Sequence, residues 1–440
     1  MTHLPHRPSP PSSARLRGAL PRIREVERIV LRVPFRSSVA RWNSVLISDW
    51  QQVELIRITT DDPDVMGIGE TIVEYSWARV TDAAVERVRQ GDPMELLADD
   101  NLGAGLQMAL LDLVGKALGV PANRLLARQR VREWCPIAWW NTDVPPALLA
   151  EEAASAVAAG YLSQKFKARP WFDVHDQVAS VSAATPEGFL VDVDWNSFLL
   201  SPAQAVPVIR SLEQSGRLGI VESPIARTDV MGHREVRQKI ATPLAEHFDP
   251  VLFPLWMRDD ALDGFVVAGV GVTESLRQAT LAAAFNKSCW LQMVGTGLTT
   301  ALAAHLGSVL THARWPAVTA MNTFAHDLLR EPLQIAGGFL RVPEAPGLGV
   351  ELDEQLVESL RVDDGADPLH PRRRLLTFRL ADGRRVHTTS MQQLWAFCEN
   401  DGTLPVQERG ATLELRDDDG GLDFAQLYER AHVHPVWDAR

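Results

Sequence analysis

The stretch QKFK at residues 164–167 opens a series of short apolar segments that end in charged side chains. Counted from the second lysine, the next charged ends follow at intervals of 27, 28 and 24 residues. A (β/α)8 barrel spends about 30 residues on each strand and helix, and its active-site groups lie at the carboxyl ends of successive strands. The spacing therefore predicts one functional group per barrel strand. In chain order, these charged residues are Lys165, Lys167, Asp194, Glu222 and Glu246.

Eight apolar segments between residues 135 and 329 alternate with helix-like segments. Parallel strands need helical crossovers, so this alternation predicts an α/β fold with a (β/α)8-type, TIM-like barrel over residues 135–329. The predicted strands are 136–140, 164–167, 189–194, 218–222, 243–246, 265–268, 290–294 and 317–321.

An α+β domain is predicted before the barrel, over residues 23–134. Alternating apolar residues in 23–58 indicate a small antiparallel sheet, and helical periodicity follows in 102–118. Trp42 lies in a polar loop between the first two strands, and this loop can close over a pocket.

The remaining segments flank these two regions. Residues 1–22 are rich in Pro, Ser and Arg without an apolar core, which predicts a disordered lead-in. Residues 330–361 form a return segment to the first domain. Residues 362–440 form an extra C-terminal module with a predicted hairpin turning at Asp382-Gly383, and its role is open.

Composition limits the classes of function. A formal charge of -12 argues against nucleic-acid binding, which needs clustered Lys and Arg. No apolar run approaches the ~18 residues of a membrane helix. Three widely spaced cysteines without CxxC spacing fit a reducing cytoplasm. The expected partner is a small molecule.

The charged series also predicts a chemistry. Three carboxylates from neighbouring strands, Asp194, Glu222 and Glu246, form an oxygen cage that suits Mg²⁺. Lys165 and Lys167, at i and i+2, point to the same face of their strand. Crowded ammonium groups favour the neutral form of one of them, which can then act as a base. Removal of a proton alpha to a carboxylate needs this combination of metal and base.

Six motifs resemble those of the enolase superfamily, in its mandelate racemase and muconate lactonizing branch. The resemblance covers residues 23–351. Its motifs are GIGE at 67–70, LQMALLDLVGKALGVPANRLL at 106–126, KFK at 165–167, VDWN at 193–196, VESP at 221–224 and VPEAPGLGVE at 342–351.

The resemblance implies that the first domain caps the barrel and that Lys167 is the base acting on the alpha proton. It also implies a homo-oligomer and a small carboxylate substrate. Two positions stay open. Asp192 shares a strand face with Asp194 and is a rival metal ligand. His247 is a rival to Glu246, or an acid beside the metal, because the family's ligand usually lies further from the preceding proline than Glu246 does.

Departures from the family bear on the reaction. Muconate lactonizing relatives carry a lysine on the sixth strand and racemases carry a histidine on the seventh, and this chain has FVVAGVGV and WLQMV there. A second base opposite Lys167 is therefore not expected. We predict a lyase that dehydrates an acid sugar. The alternatives are a racemase or cycloisomerase, and a barrel that binds metal and carboxylate without turnover.

Three further residues are predicted to contact the substrate. Arg169 follows the lysines and can bind a second anionic or hydroxyl group. Asn322 follows the eighth strand, and Trp42 lies in the loop over the pocket.

Overall fold

A computed structural model describes residues 20–73, 75, 79–362, 372–400 and 406–438. Residues 1–19 of the predicted lead-in lie outside this range. Among the described residues, no helix is long and apolar enough to cross a membrane.

The N-terminal domain packs a three-stranded antiparallel sheet against helices, as predicted. Its strands, β1 (Ile23–Arg32), β2 (Gln52–Thr60) and β3 (Met66–Ile72), pair in that order. The predicted loop around Trp42 is mostly helical. The helices are α1 (Ser37–Leu46), α2 (Asp82–Gln90), α3 (Pro93–Leu96), α4 (Ala104–Leu118) and α5 (Asn123–Leu126), with 3-10 turns at Ser48–Gln51 and Asp100–Leu102.

The GIGE motif allows α4 to lie directly on β3. A Cβ atom at Gly67 would fall 2.2 Å from the carbonyl oxygen of Ala109, and one at Gly69 would fall 2.2 Å from that of Gly105. Any larger residue at either glycine would push the helix away from the strand.

The barrel follows the predicted alternation. Its strands are β4 (Trp134–Pro136), β5 (Trp139–Trp140), β6 (Ser163–Lys167), β7 (Leu190–Asp194), β8 (Leu218–Glu222), β9 (Leu244–His247), β10 (Gly264–Ala268) and β11 (Ser288–Gln292). Seven of them, β5 to β11, pair in sequence as a parallel sheet. The helices are α6 (Pro146–Ala158), α7 (Val174–Ala184), α8 (Pro202–Glu213), α9 (Val230–Lys239), α10 (Phe253–Asp259), α11 (Val272–Ala284) and α12 (Gly297–Val309).

The first and eighth predicted strands differ in detail from the prediction. The first is split into β4, outside the parallel sheet, and β5, within it. In place of an eighth strand, Val318 bridges Gln292 of β11, and Ala317 bridges Ile137. These two parallel bridges connect the last strand to the chain just before β5, and the TIM-like architecture is confirmed.

Glu70, at the end of the GIGE motif, joins the two domains. Its buried carboxylate accepts hydrogen bonds from the backbone N–H groups of Thr296 at 2.7 Å and Thr299 at 2.9 Å, where α12 begins. Burial raises the pKa of Glu70, and these hydrogen bonds offset that rise only in part. The capping domain thus places the side chain of Glu70 at the N-terminus of the barrel helix α12.

The return segment contains β12 (Ile335–Ala336), β13 (Phe339–Arg341) and α13 (Glu354–Leu360). It pairs β13 with β4 and ends beside β1, where Arg361 bridges Leu31.

The C-terminal module is a four-stranded antiparallel sheet with two helices. The predicted hairpin forms, with Gly383 in the left-handed region at φ +88°. The elements are β14 (Arg374–Arg379), β15 (Arg385–Thr388), α14 (Met391–Asn400), β16 (Thr412–Asp417), α15 (Leu422–Val433) and β17 (Val436–Trp437). The sheet order is β16-β14-β15-β17.

Candidate active site

Charged side chains from three neighbouring strands meet at one rim of the barrel. Lys167 of β6 is in register with Asp194 of β7, which is in register with Glu222 of β8. Lys167 Nζ donates a hydrogen bond to Asp194 Oδ2. Both carboxylates are almost fully buried. The structure thus brings together three of the predicted residues, as the strand-end spacing requires.

Lys165 lies between the two carboxylates. Its Nζ is 2.5 Å from Glu222 Oε2 and 3.9 Å from Asp194 Oδ2. Burial raises the pKa of Asp194, but the positive charges of Lys167, Lys165 and Arg169 outweigh this effect and hold that pKa well below its usual range. Asp194 is therefore ionised at any working pH.

The two lysine side chains differ in exposure and in the number of contacts that hold them. Lys165 Nζ also donates to Gln292 Oε1 at 2.5 Å and lies 5.3 Å from the centre of the Trp290 ring, and its side chain is only 1% exposed. The Lys167 side chain is 16% exposed and borders a cavity. Lys165 is held in place, whereas Lys167 can reach a bound molecule.

Glu246 does not join the other two carboxylates, contrary to the prediction. Its Oε1 accepts hydrogen bonds from Ser223 Oγ at 2.8 Å and Arg227 Nε at 3.2 Å, and its Oε2 lies 3.6 Å from Nε2 of His233 in α9. Glu246 is also in register with Phe265, which packs against Trp256 of α10. Its side chain therefore faces the helices.

His247 takes the inward position on the fifth barrel strand. Successive side chains of a strand point to opposite faces, so His247 and Glu246 cannot both face the interior. His247 Nε2 lies 3.2 Å from Glu222 Oε1. Of the two residues left open for this position, the structure brings His247 to the rim.

Asp192, the rival to Asp194, lies one layer deeper. It is in register with Lys165 and Ile220, whereas Asp194 is in register with Lys167 and Glu222. Burial raises the pKa of Asp192 to about 7. Asp194 is thus the ionised carboxylate at the rim.

Arg169 borders the cavity, but its guanidinium is engaged within the protein. It donates to the backbone oxygen of Asp194 at 3.2 Å and to Asn196 Oδ1 at 2.5 Å. It also lies 4.8 Å from the ring centre of Trp395 in the C-terminal module. Arg169 therefore connects the β7 strand end to that module.

Neither Asn322 nor Trp42 borders the cavity that contains Lys167, contrary to the prediction. The Asn322 side chain donates to the backbone oxygen of Trp140 at 2.8 Å and accepts from its N–H at 3.0 Å, which joins the two ends of the barrel sheet. The Trp42 ring packs 5.6 Å from that of Phe172. From the same segment, Ile47 and Trp50 reach the cavity instead.

The cavity beside Lys167 has a volume of about 210 Å³ and draws side chains from all three parts of the chain. The capping domain supplies Trp50 and Tyr75, whose rings are 4.9 Å apart. The C-terminal module supplies Met391 and Trp395. The sequence interpretation missed these four residues, because only tertiary packing brings them to the barrel mouth.

No base faces Lys167 from the sixth and seventh barrel strands. β10 contains no ionisable side chain, and β11 contains only the thiol of Cys289. At the cavity, β11 presents Gln292, whose Nε2 donates to the Tyr75 hydroxyl at 3.4 Å. An amide cannot act as a base at neutral pH.

The rim fits a Mg²⁺ ion held by two carboxylates. Glu222 Oε1 and Oε2 are buried, and the polar groups nearest to them are His247 Nε2 at 3.2 Å and Lys165 Nζ at 2.5 Å. Mg²⁺ typically binds one or two protein carboxylates and keeps waters and substrate oxygens, so Asp194 and Glu222 suit it. No group of three or more His, Cys, Asp or Glu within the described ranges is arranged to hold a metal ion by itself.

Comparisons with known proteins agree with this fold. The family described as "Enolase C-terminal domain-like" matches residues 148–356. A solved mandelate racemase/muconate lactonizing family protein from an Azoarcus species superposes with a TM-score of 0.61 at 25% identity, covering 78% of this chain and 98% of that one. N-succinyl Arg/Lys racemase from Bacillus cereus superposes with a TM-score of 0.63 at 20% identity, covering 78% and 98%.

Curated relatives carry several different activities. N-succinylamino acid racemase from an Amycolatopsis species is 28% identical over 58% of this chain and 70% of the relative. o-Succinylbenzoate synthase from Geobacillus stearothermophilus is 25% identical over 74% and 92%. D-gluconate dehydratase from Thermoproteus tenax is 25% identical over 79% and 76%.

The fold is a capped (β/α)8-type barrel with lysines and carboxylates in register at one rim. Residues 148–356 match the enolase C-terminal domain-like family, and the chain as a whole is similar to enzymes of the mandelate racemase and muconate lactonizing branch of the enolase superfamily. Its relatives are lyases and isomerases, so the family does not by itself fix the reaction.

Proposed function

We propose that the protein removes the proton alpha to the carboxylate of a small organic acid, with Lys167 as the base, and then eliminates water. One observation carries this proposal: Lys167, Asp194 and Glu222 are in register at one rim, and Lys167 borders a cavity.

Asp194 and Glu222 would hold Mg²⁺, with His247 beside them. Bound there, the ion would stabilise negative charge that develops on the substrate carboxylate.

The chain's own residues would divide the remaining work. Lys165, held by Gln292, would fix the orientation of the Glu222 carboxylate that it pairs with. Nζ of Lys167 would take the alpha proton and then return a proton to the hydroxyl that leaves from the neighbouring carbon. Trp50 and Tyr75 would exclude water from the cavity.

Elimination is favoured over racemisation because racemisation by two bases needs a second base on the opposite face. Gln292 occupies that side of the cavity, and β10 offers no ionisable group. The D-gluconate dehydratase relative supports an acid sugar as one substrate class. The racemase and cycloisomerase relatives support isomerisation as the second candidate.

A screen in D2O tests the proposal. Purified protein with Mg²⁺ would be incubated with a set of hydroxy acids, both polyhydroxylated and apolar, and followed by NMR. We expect loss of one alpha-proton signal, with a 2-keto product from acids that carry hydroxyls on C2 and C3 and an α,β-unsaturated acid from those that carry a hydroxyl on C3 alone. A metal-bound protein that exchanges no alpha proton in any of these acids would instead be a binding protein.

A further inference from the structure

We propose that the C-terminal module, described over residues 372–400 and 406–438, forms one wall of the substrate cavity, and that Trp395 selects acids whose end distal to the carboxylate is apolar. The inference rests on the proposed function, because it takes the cavity beside Lys167 as the substrate site.

Two side chains of the module reach this cavity. Met391 and Trp395 lie one helical turn apart at the start of α14, so they face the same way. Both border the cavity together with Lys167. The module therefore contributes directly to the space where the substrate would lie.

Trp395 is fixed by aromatic and cationic neighbours on the barrel. Its ring centre lies 4.7 Å from that of Phe198 and 6.3 Å from that of Trp171, both of which are buried. The Arg169 guanidinium lies 4.8 Å from its centre, and Arg169 also donates to the backbone oxygen of Asp194. The indole is thus held relative to the strand that carries a predicted metal ligand.

The module as a whole is docked on the barrel. Leu394 and Phe378 belong to one buried cluster with Trp171 and Phe198 of the barrel. Asp173 of the barrel accepts hydrogen bonds from the Gly410 N–H at 2.8 Å and from Arg409 Nε at 2.9 Å.

A second contact reaches the capping domain. Arg41 in α1 donates to the backbone oxygen of Leu415 at 2.8 Å, and Arg374 donates to that of Arg41 at 3.2 Å. The module thus contacts both domains that border the cavity.

The polar groups of the cavity are mostly engaged with one another. Asp143 accepts hydrogen bonds from Trp171 Nε1 at 2.8 Å and from Thr142 at 2.9 Å. Gln292 bonds Lys165 and Tyr75, and Arg169 bonds backbone and Asn196. A polyhydroxylated chain would find few free partners there, whereas an apolar group would be buried against the indole of Trp395.

The test compares binding of three probes to the Mg²⁺-loaded full chain by calorimetry. The probes are β-hydroxy-β-phenylpropanoate, β-hydroxybutyrate and D-gluconate. We expect the phenyl acid to bind most tightly, and Trp395→Ala to weaken it about tenfold, the loss expected when a buried aromatic contact is removed. The two other acids should change by less than about twofold, because they lack a ring to stack.

Two variants act as controls. Trp437→Ala removes a half-exposed tryptophan of the same module that does not border the cavity, and it should leave all three affinities unchanged. Trp395→Phe keeps an aromatic wall and should restore most of the selectivity. Thermal unfolding of each variant checks that it is folded.

Equal weakening of all three probes by Trp395→Ala, or tightest binding of D-gluconate by the wild type, would overturn the inference. Failure of the proposed function looks different. In that case the selectivity for the phenyl acid would persist, but neither it nor the other acids would exchange an alpha proton in D2O.

Discussion

His247 Nε2 lies 3.2 Å from Glu222 Oε1, while the carboxylate of the adjacent Glu246 is bonded to Ser223 and Arg227 on the helix side of the strand. His247 faces the rim and Glu246 faces the helices, so an imidazole lies where a third carboxylate was predicted. Imidazole suits Mg²⁺ less well than carboxylate does.

The first prediction concerns the effect of this imidazole on Mg²⁺ binding. His247→Asp should strengthen Mg²⁺ binding because it adds a carboxylate beside Glu222, and His247→Ala should weaken Mg²⁺ binding by at least about tenfold. Glu246→Gln is the matched control and should leave Mg²⁺ affinity unchanged. Isothermal titration with Mg²⁺ would measure all three. Weaker Mg²⁺ binding by the Glu246 variant alone would show that the ligand set includes Glu246.

A second prediction follows from the missing base opposite Lys167. When both enantiomers of a substrate are supplied in D2O, only one should exchange its alpha proton, because a single lysine reaches one face of the carbon. Chiral chromatography with NMR would follow both enantiomers. Interconversion of the two would reveal a second base and favour an isomerase.

The third prediction addresses the contact between the domains. Glu70→Ala would leave the buried N–H groups of Thr296 and Thr299 without acceptors, and should lower the free energy of unfolding by about 3 kcal/mol. Glu70→Gln keeps one oxygen that can accept both N–H groups, so it should lower the free energy of unfolding by less. Burial raises the pKa of Glu70, which means that the site disfavours the negative charge that Gln lacks. Denaturant unfolding measures both variants. Equal losses for the two would contradict this interpretation.

A fourth prediction concerns pH and the docking of the C-terminal module. Burial raises the pKa of Asp173, but hydrogen bonds from His175, the Gly410 N–H and Arg409 outweigh it, so the pKa is lowered in the folded protein. Asp173 therefore stabilises docking above its unfolded pKa of about 4, and this contribution is lost as the pH falls below that value.

Hydrogen exchange of the segment around Gly410 would measure the effect. Protection should fall on acidification in the wild type. Asp173→Asn keeps the Oδ1 that caps α7 but loses the acceptor for the Gly410 N–H. In this variant, the amides around Gly410 should already exchange rapidly at neutral pH. Full protection in this variant would argue that apolar packing alone docks the module.

Much of the fold could be predicted from the sequence, because short apolar strands that end in charged groups recur at nearly even spacing. The same spacing identified Lys167, Asp194 and Glu222 correctly as neighbours. It misplaced Glu246, because distance along the chain does not tell which face of a strand a residue occupies. Counting alternate positions from Leu244, which shares a face with Glu246, would have pointed to His247.

Other site residues could not be predicted from local pattern. Tyr75 and Trp395 reach the cavity only through packing between distant parts of the chain. Asn322 looked like a substrate ligand at a strand end, but the amide instead completes two backbone hydrogen bonds of Trp140.

Exchange of the alpha proton in D2O, compared between the wild type and Lys167→Ala, tests the central claim most directly. A substrate found in the screen would be used, with Mg²⁺ binding of the variant checked by titration. Exchange should fall by at least about 100-fold in the variant while the metal still binds. Exchange at the wild-type rate in Lys167→Ala would contradict the assignment of Lys167 as the base.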